Sequence, residues 1–122
     1  MSSSLKTSLA SKAATLKKDV EALLAAHGNT TVADVTVSAA YGGKRDIKCM
    51  VTETSSVDPQ EGIRYRGMTI PELQARLPKA KDGAQPLPEG VFWLLLTGDD
   101  PSVNQVAEVT AESRANETIP DH

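Results

Sequence analysis

Arginines offer the clearest chemistry in this sequence: Arg45 follows the glycine pair Gly42-Gly43, and Arg64 and Arg66 alternate within Ile63-Arg64-Tyr65-Arg66. A guanidinium group grips phosphate or carboxylate through paired hydrogen bonds, and a glycine turn lets the backbone come close to such an anion. Arg45 is therefore a candidate anion contact. Arg64 and Arg66, on one face of a short strand, are expected in structural ion pairs with Glu53, Asp58 or Glu61.

The remaining inventory is thin. His27 precedes Gly28 where a helix is expected to end, which suits interaction with the helix dipole, and His122 is the last residue. Neither sits in a G-x-S-x-G or H-E-x-x-H motif, and no G-x-x-x-x-G-K-[ST] phosphate loop is present. Cys49 is the single cysteine and lies in an alternating apolar stretch, so it reads as a small buried side chain. It cannot form an internal disulfide, and there is no Cys/His cluster to hold zinc; a reducing compartment fits best.

A chain of 122 residues has the length of one domain, and the whole of 1–122 is expected to form a single unit. Apolar residues make up 39% and charged residues 24%, outside the disordered range but enough only for a modest core. A net charge of −3 provides no basic field for nucleic-acid backbones. The longest apolar run, Val91 to Leu96, is far below the roughly 20 residues that span a bilayer, so no membrane insertion is expected.

The elements that must position these residues follow from periodicity. Leu5, Leu9, Leu16, Val20, Leu23 and Leu24 form one stripe of a helix that begins near Ser3 or Ser4 and stops at His27-Gly28. Its first eighteen residues hold four lysines, five serines, two threonines and no acid, partly the composition of a transit peptide, although arginine is absent. Alternation predicts short strands at Val35–Val37 and Ile47–Val51, and a third at Ile63–Arg66 after the Asp58-Pro59 turn. Thr69-Ile70-Pro71-Glu72 has capping-box spacing for a short helix with Ile70, Leu73 and Leu77 on one face, ended by Pro78. The segment from Glu89 to Leu96 is apolar on every side and is expected to be a buried helix. Ser102, with Gln105 three residues on, opens a last helix carrying Val103, Val106, Ala107 and Thr110 on one side. The pattern is a mainly α domain with a small β section near the N-terminus.

The stretch from His27 to Val106 resembles the amino-terminal part of eukaryotic, mitochondrial-type citrate synthase, and the likeness extends with few gaps from about Leu5 to the end. Glu61-Gly62-Ile63-Arg64-Tyr65-Arg66-Gly67 is similar to a hallmark shared by citrate and 2-methylcitrate synthases. The phrase from Leu77-Pro78-Lys79-Ala80-Lys81 through Pro86-Leu87-Pro88-Glu89-Gly90 to Phe92-Trp93-Leu94-Leu95 resembles the eukaryotic branch. The resemblance implies an all-α fold whose large helical domain would take this chain as its N-terminal portion. It also implies condensation of acetyl-CoA with oxaloacetate and water to give citrate and CoA, with no permanently bound cofactor, a homodimeric complete enzyme and a mitochondrial matrix location, or alternatively a glyoxysomal or peroxisomal one. The family's catalytic aspartate and two histidines lie far downstream, so the chain alone is expected to be inactive and to need the remaining citrate synthase polypeptide. Arg45, within Tyr41-Gly42-Gly43-Lys44-Arg45, matches an arginine that the family sets against the phosphates of CoA. Where the family commonly runs R-G-M-K-G, this chain has Arg45-Asp46-Ile47-Lys48-Cys49, which places an acid beside the cation. Two alternatives accompany this reading: a non-catalytic structural subunit of a larger mitochondrial assembly, and part of a 2-methylcitrate synthase.

Overall fold

The structure, a computed structural model, describes residues 4–43, 47 and 50–118. In chain order the described elements are α1 (Ser4–His27), α2 (Val37–Tyr41), β1 (Ser55–Asp58), β2 (Gly62–Tyr65), α3 (Ile70–Arg76), α4 (Pro88–Thr97) and α5 (Val103–Ala115). The mainly α expectation with a small β section holds.

Three of the helices begin where side chains supply partners for the first free amides. Thr69 and Glu72 form a reciprocal capping box on α3, with Pro71 in the first turn, and Ser102 and Gln105 do the same for α5. Thr36 accepts from the Ala39 amide and so starts α2. This cap overturns the strand expected at Val35–Val37. Three alternating β-branched residues are too few to fix a strand, and a threonine hydroxyl able to satisfy a free helix donor decides the local conformation instead. Of the second expected strand, Ile47–Val51, the described residues Ile47, Met50 and Val51 lie outside any strand, and Lys48 and Cys49 lie outside the described residues. The sheet is β1 paired antiparallel with β2, from Ser55 opposite Tyr65 to Asp58 opposite Gly62. Asp58 closes the hairpin by accepting the amides of Gln60 and Glu61 at 2.8 and 2.9 Å.

Among the described residues the core is two small clusters joined through α4. Trp93 packs with Leu5 of α1 and Val109 of α5, with Leu96 against them. Leu94 packs with Leu73 and Leu77, and with the half-buried Tyr65, Met68 and Val91. The helix expected to be buried on every side is only partly so. Trp93 is 2% exposed while its neighbour Phe92 is 49% exposed, because adjacent residues on a helix point about 100° apart and the described elements cover only part of the circumference. Of the apolar stripe on α1, only Leu5 is buried.

Candidate functional site

In sequence, Arg45 follows the turn that ends α2. The Gly42 amide bonds the Ser38 carbonyl at 2.8 Å, and a β-carbon at Gly42 would fall 2.9 Å from that oxygen, so a side chain there would force the turn apart. Gly43 has φ +81, a conformation that L side chains rarely adopt. Both glycines of the pair are thus required for physical reasons, and Tyr41 before them is 91% exposed. Lys44, Arg45 and Asp46 themselves lie outside the described residues, as do Cys49 and His122. His27 ends α1 in the open, its backbone carbonyl accepting the Thr30 amide at 2.9 Å.

Arg64 and Arg66 do not share a face. β2 ends at Tyr65, and Arg66 takes φ 49, which turns its side chain away from that of Arg64. Arg64 stays at the hairpin, donating to Glu61 at 2.9 Å and to the Gly67 carbonyl at 3.0 Å. The Glu61 carboxylate raises its already high pKa by hydrogen bonding and charge. Arg66 instead reaches the C-terminal end of α4, where Nε and Nη2 both donate to the Leu95 carbonyl, at 3.0 and 2.7 Å, and Nη1 lies 3.5 Å from Glu53. The expected ion pairs with Glu61 and Glu53 are present. The bond to the helix carbonyl is the part that residue spacing did not reveal, because its partner is a main-chain oxygen 29 residues away.

Arg66 and Glu53 also rim an open cleft of about 310 Å³, with Leu9, Lys12, Ala13, Leu16 and Asp19 of α1 on one wall and Leu96 and Thr97 of α4 on the other. Lys12 pairs with Asp99 at 2.9 Å just beyond α4, and Asp100 pairs with Arg76 of α3 at 2.7 Å. These two adjacent acids tie the turn between α4 and α5 to two different helices. Thr97, the one buried polar residue among those described, donates its hydroxyl to the Trp93 carbonyl at 2.9 Å. Among the described residues there is no group of three or more His, Cys, Asp or Glu side chains that could hold a metal ion, and no helix is long and apolar enough to cross a membrane. Among the described residues, the arginines Arg64 and Arg66 hold the hairpin and the end of α4 in place.

Comparison with known proteins accounts for this pattern. A family model described as "Citrate synthase, C-terminal domain" matches residues 43–122, from the second glycine of the turn onward. "Probable citrate synthase, mitochondrial" of Caenorhabditis briggsae is 50% identical over 121 residues, which is 99% of this chain and 26% of the relative. "Citrate synthase, mitochondrial" of Emericella nidulans is also 50% identical, over 96% of this chain and 25% of its own length. The Saccharomyces cerevisiae protein of the same name is 52% identical over 96 residues, 79% of this chain and 20% of the relative. The chain therefore spans about a quarter of the length of the curated relatives it matches. With half of its residues identical across nearly its whole length, and two thirds of it inside the family model, the chain belongs to the citrate synthase family.

Proposed function

We propose that this chain supplies the amino-terminal portion of a citrate synthase, the acyltransferase that condenses acetyl-CoA with oxaloacetate and water to release citrate and CoA. The observation that carries the reading is 50% identity to mitochondrial citrate synthases across 99% of the chain. In this reading residues 43–122 open the domain named by the family model, and α1 precedes it. The reaction is general acid–base work in a water-poor cleft: a carboxylate takes a methyl proton from the thioester, and two histidines stabilise the enolate and act at the oxaloacetate carbonyl. Those three groups belong to the rest of the enzyme. This chain contributes a scaffold, α3 to α5 packed around Trp93 and Leu94, and one substrate contact, Arg45, directed at the phosphates of CoA. No permanently bound cofactor is required, since acetyl-CoA is consumed as a substrate. The working assembly is a homodimer of the complete enzyme in the mitochondrial matrix, in keeping with the mitochondrial names of its relatives.

The test replaces the matching part of the Saccharomyces cerevisiae mitochondrial citrate synthase with this chain and follows thiol release from acetyl-CoA plus oxaloacetate. The chimera is expected to turn over, whereas the 122-residue chain alone releases no thiol. Arg45→Ala in the chimera should raise KM for acetyl-CoA by about 10- to 100-fold with kcat largely kept, the cost of one charge-assisted contact of roughly 1.5–3 kcal/mol. A folded chimera without activity would overturn the reading in favour of a structural role, and preference for propionyl-CoA would redirect it to a 2-methylcitrate synthase.

A further inference from the structure

The loop between α3 and α4 carries a turn that its sequence does not favour. Its base is fixed: the Leu87 amide donates to the Pro78 carbonyl at 3.0 Å, and Lys79 forms a bridge with Pro86. Its tip, 80–84, is exposed and holds no large apolar side chain, so nothing in it calls for cover by another surface. The Gly83 amide donates to the Ala80 carbonyl at 2.9 Å, closing a turn from Ala80 to Gly83 in which Asp82 takes φ 61. Glycine or asparagine is the usual occupant of such a position, because a β-carbon crowds the backbone there. Here the glycine stands one residue late, at 83.

Among the eight aspartates of the chain, Asp82 alone precedes glycine. A following glycine leaves its amide nitrogen open to the neighbouring side chain. Val20 and Val35 shield theirs after Asp19 and Asp34, and Pro59 and Pro101 offer no amide proton after Asp58 and Asp100. Asp58 is further held by two backbone amides, Asp99 by Lys12 and Asp100 by Arg76. Among the described residues none holds the carboxylate of Asp82.

We propose that Asp82-Gly83 is a self-modifying site, which converts to isoaspartate in the folded protein. The Gly83 nitrogen attacks Cγ of the Asp82 carboxyl group; the N–Cγ bond forms, the carboxyl hydroxyl leaves as water with the amide proton, and a succinimide ring closes. Water then adds to one of the two ring carbonyls. Breaking the N–Cγ bond restores aspartate, whereas breaking the bond from nitrogen to the former main-chain carbonyl leaves Gly83 linked through Cγ and frees an α-carboxylate. One water leaves and one returns, so the product keeps the mass of the starting chain. Two features favour the reaction at this turn. The Gly83 amide gives up a single exposed hydrogen bond to react, and the methylene that enters the main chain adds a rotatable bond, which relieves the restriction at φ 61. The freed α-carboxylate is the group that an isoaspartyl carboxyl methyltransferase esterifies with the methyl of S-adenosylmethionine, so the loop becomes a substrate for that class of enzyme. The site is independent of the proposed function.

The experiment ages the chimera described above and the 122-residue chain at neutral pH and physiological temperature, then digests both with an endoproteinase that cuts before aspartate but not before isoaspartate. Cleavage before Asp82 is expected to be lost progressively at unchanged mass, while cleavage before Asp19, Asp34 and Asp58 persists. Labelled methyl groups from S-adenosylmethionine, added with the methyltransferase, should enter the peptide that contains residue 82. Gly83→Val should slow both signals by about tenfold or more, since a β-branched side chain shields the nitrogen. Asp82→Glu should abolish methyl entry, because the ring would be one atom larger, and Asp82→Asn should hasten it, with ammonia leaving in place of water. Persistent cleavage before Asp82 without methyl entry, conversion as fast at Asp34, or conversion confined to protein unfolded in urea would each overturn the proposal. Neither readout uses turnover, so an inactive chimera bears on the citrate synthase reading alone.

Discussion

Arg66 shows how one side chain can serve two unrelated needs. The last carbonyls of a helix lack intrahelical donors, and here Gly98 satisfies Leu94 while the Arg66 fork satisfies Leu95, with positive charge at the negative end of the helix dipole. The group is largely buried, so losing it leaves a helix carbonyl unpaired. Arg66→Ala is expected to cost about 2 kcal/mol in urea unfolding of the chimera. Arg66→Gly should cost up to about 1 kcal/mol less than alanine, since glycine adopts φ 49 freely. Titration belongs to the same scale. The Gln60 and Glu61 amides hold Asp58 below its ordinary pKa, with the Glu61 contact the larger, and the Thr69 hydroxyl and amide do the same for Glu72. A depressed folded-state pKa gives stability that is complete above the unfolded value and is lost as pH falls through the folded one. Below about pH 4 the hairpin turn and the α3 cap should therefore loosen. Asp58→Asn and Glu72→Gln should each flatten the acid limb of a stability–pH curve, and an unchanged limb would show that other carboxylates set it.

Two glycines at the scale of the helix make opposite demands. Gly90 is buried inside α4, yet an added β-carbon would meet Val106 at 3.5 Å, Pro101 at 3.8 Å and Pro78 at 3.9 Å, all ordinary contacts. Gly90→Ala should be neutral or stabilise by up to about 1 kcal/mol through helix propensity. Gly98 ends the same helix at φ +78, so Gly98→Ala should destabilise by about 1 kcal/mol or more; thermal melts of the pair decide the contrast. Trp93→Ala, which removes the ring between α1 and α5, should cost about 3–5 kcal/mol. The sequence made α1, α3, α4 and α5 legible because caps, prolines and terminal glycines are local signals, read without knowing what lies across the core. Thr36 carried two meanings, strand alternation and helix cap, and only the Ala39 amide distinguishes them. Which side of α4 would be covered was not legible, since an all-apolar helix carries no polar face to mark the outside. At the candidate site, the Gly42-Gly43 turn was evident from composition. The divergence of Arg64 and Arg66 was not, because it turns on a positive φ at an ordinary arginine.

As a whole molecule the chain has little interior. Seven apolar side chains are buried among the described residues, while Leu16, Val20, Leu23, Leu24, Phe92 and Val103 face outward. Alone in solution it should associate as concentration rises, seen as growing mass in light scattering, and a cooperative, monomeric melt would contradict this. The partners of α1 also lie far along the chain: Lys12 meets Asp99, 87 residues later, and Ser4 meets Glu108, 104 residues later. At about 5–20 residues per second, translation takes on the order of 4–20 s to deliver those partners. Throughout that interval the leucines of α1 have left the ribosome with nothing to rest on, which makes this helix a natural client for a nascent-chain chaperone.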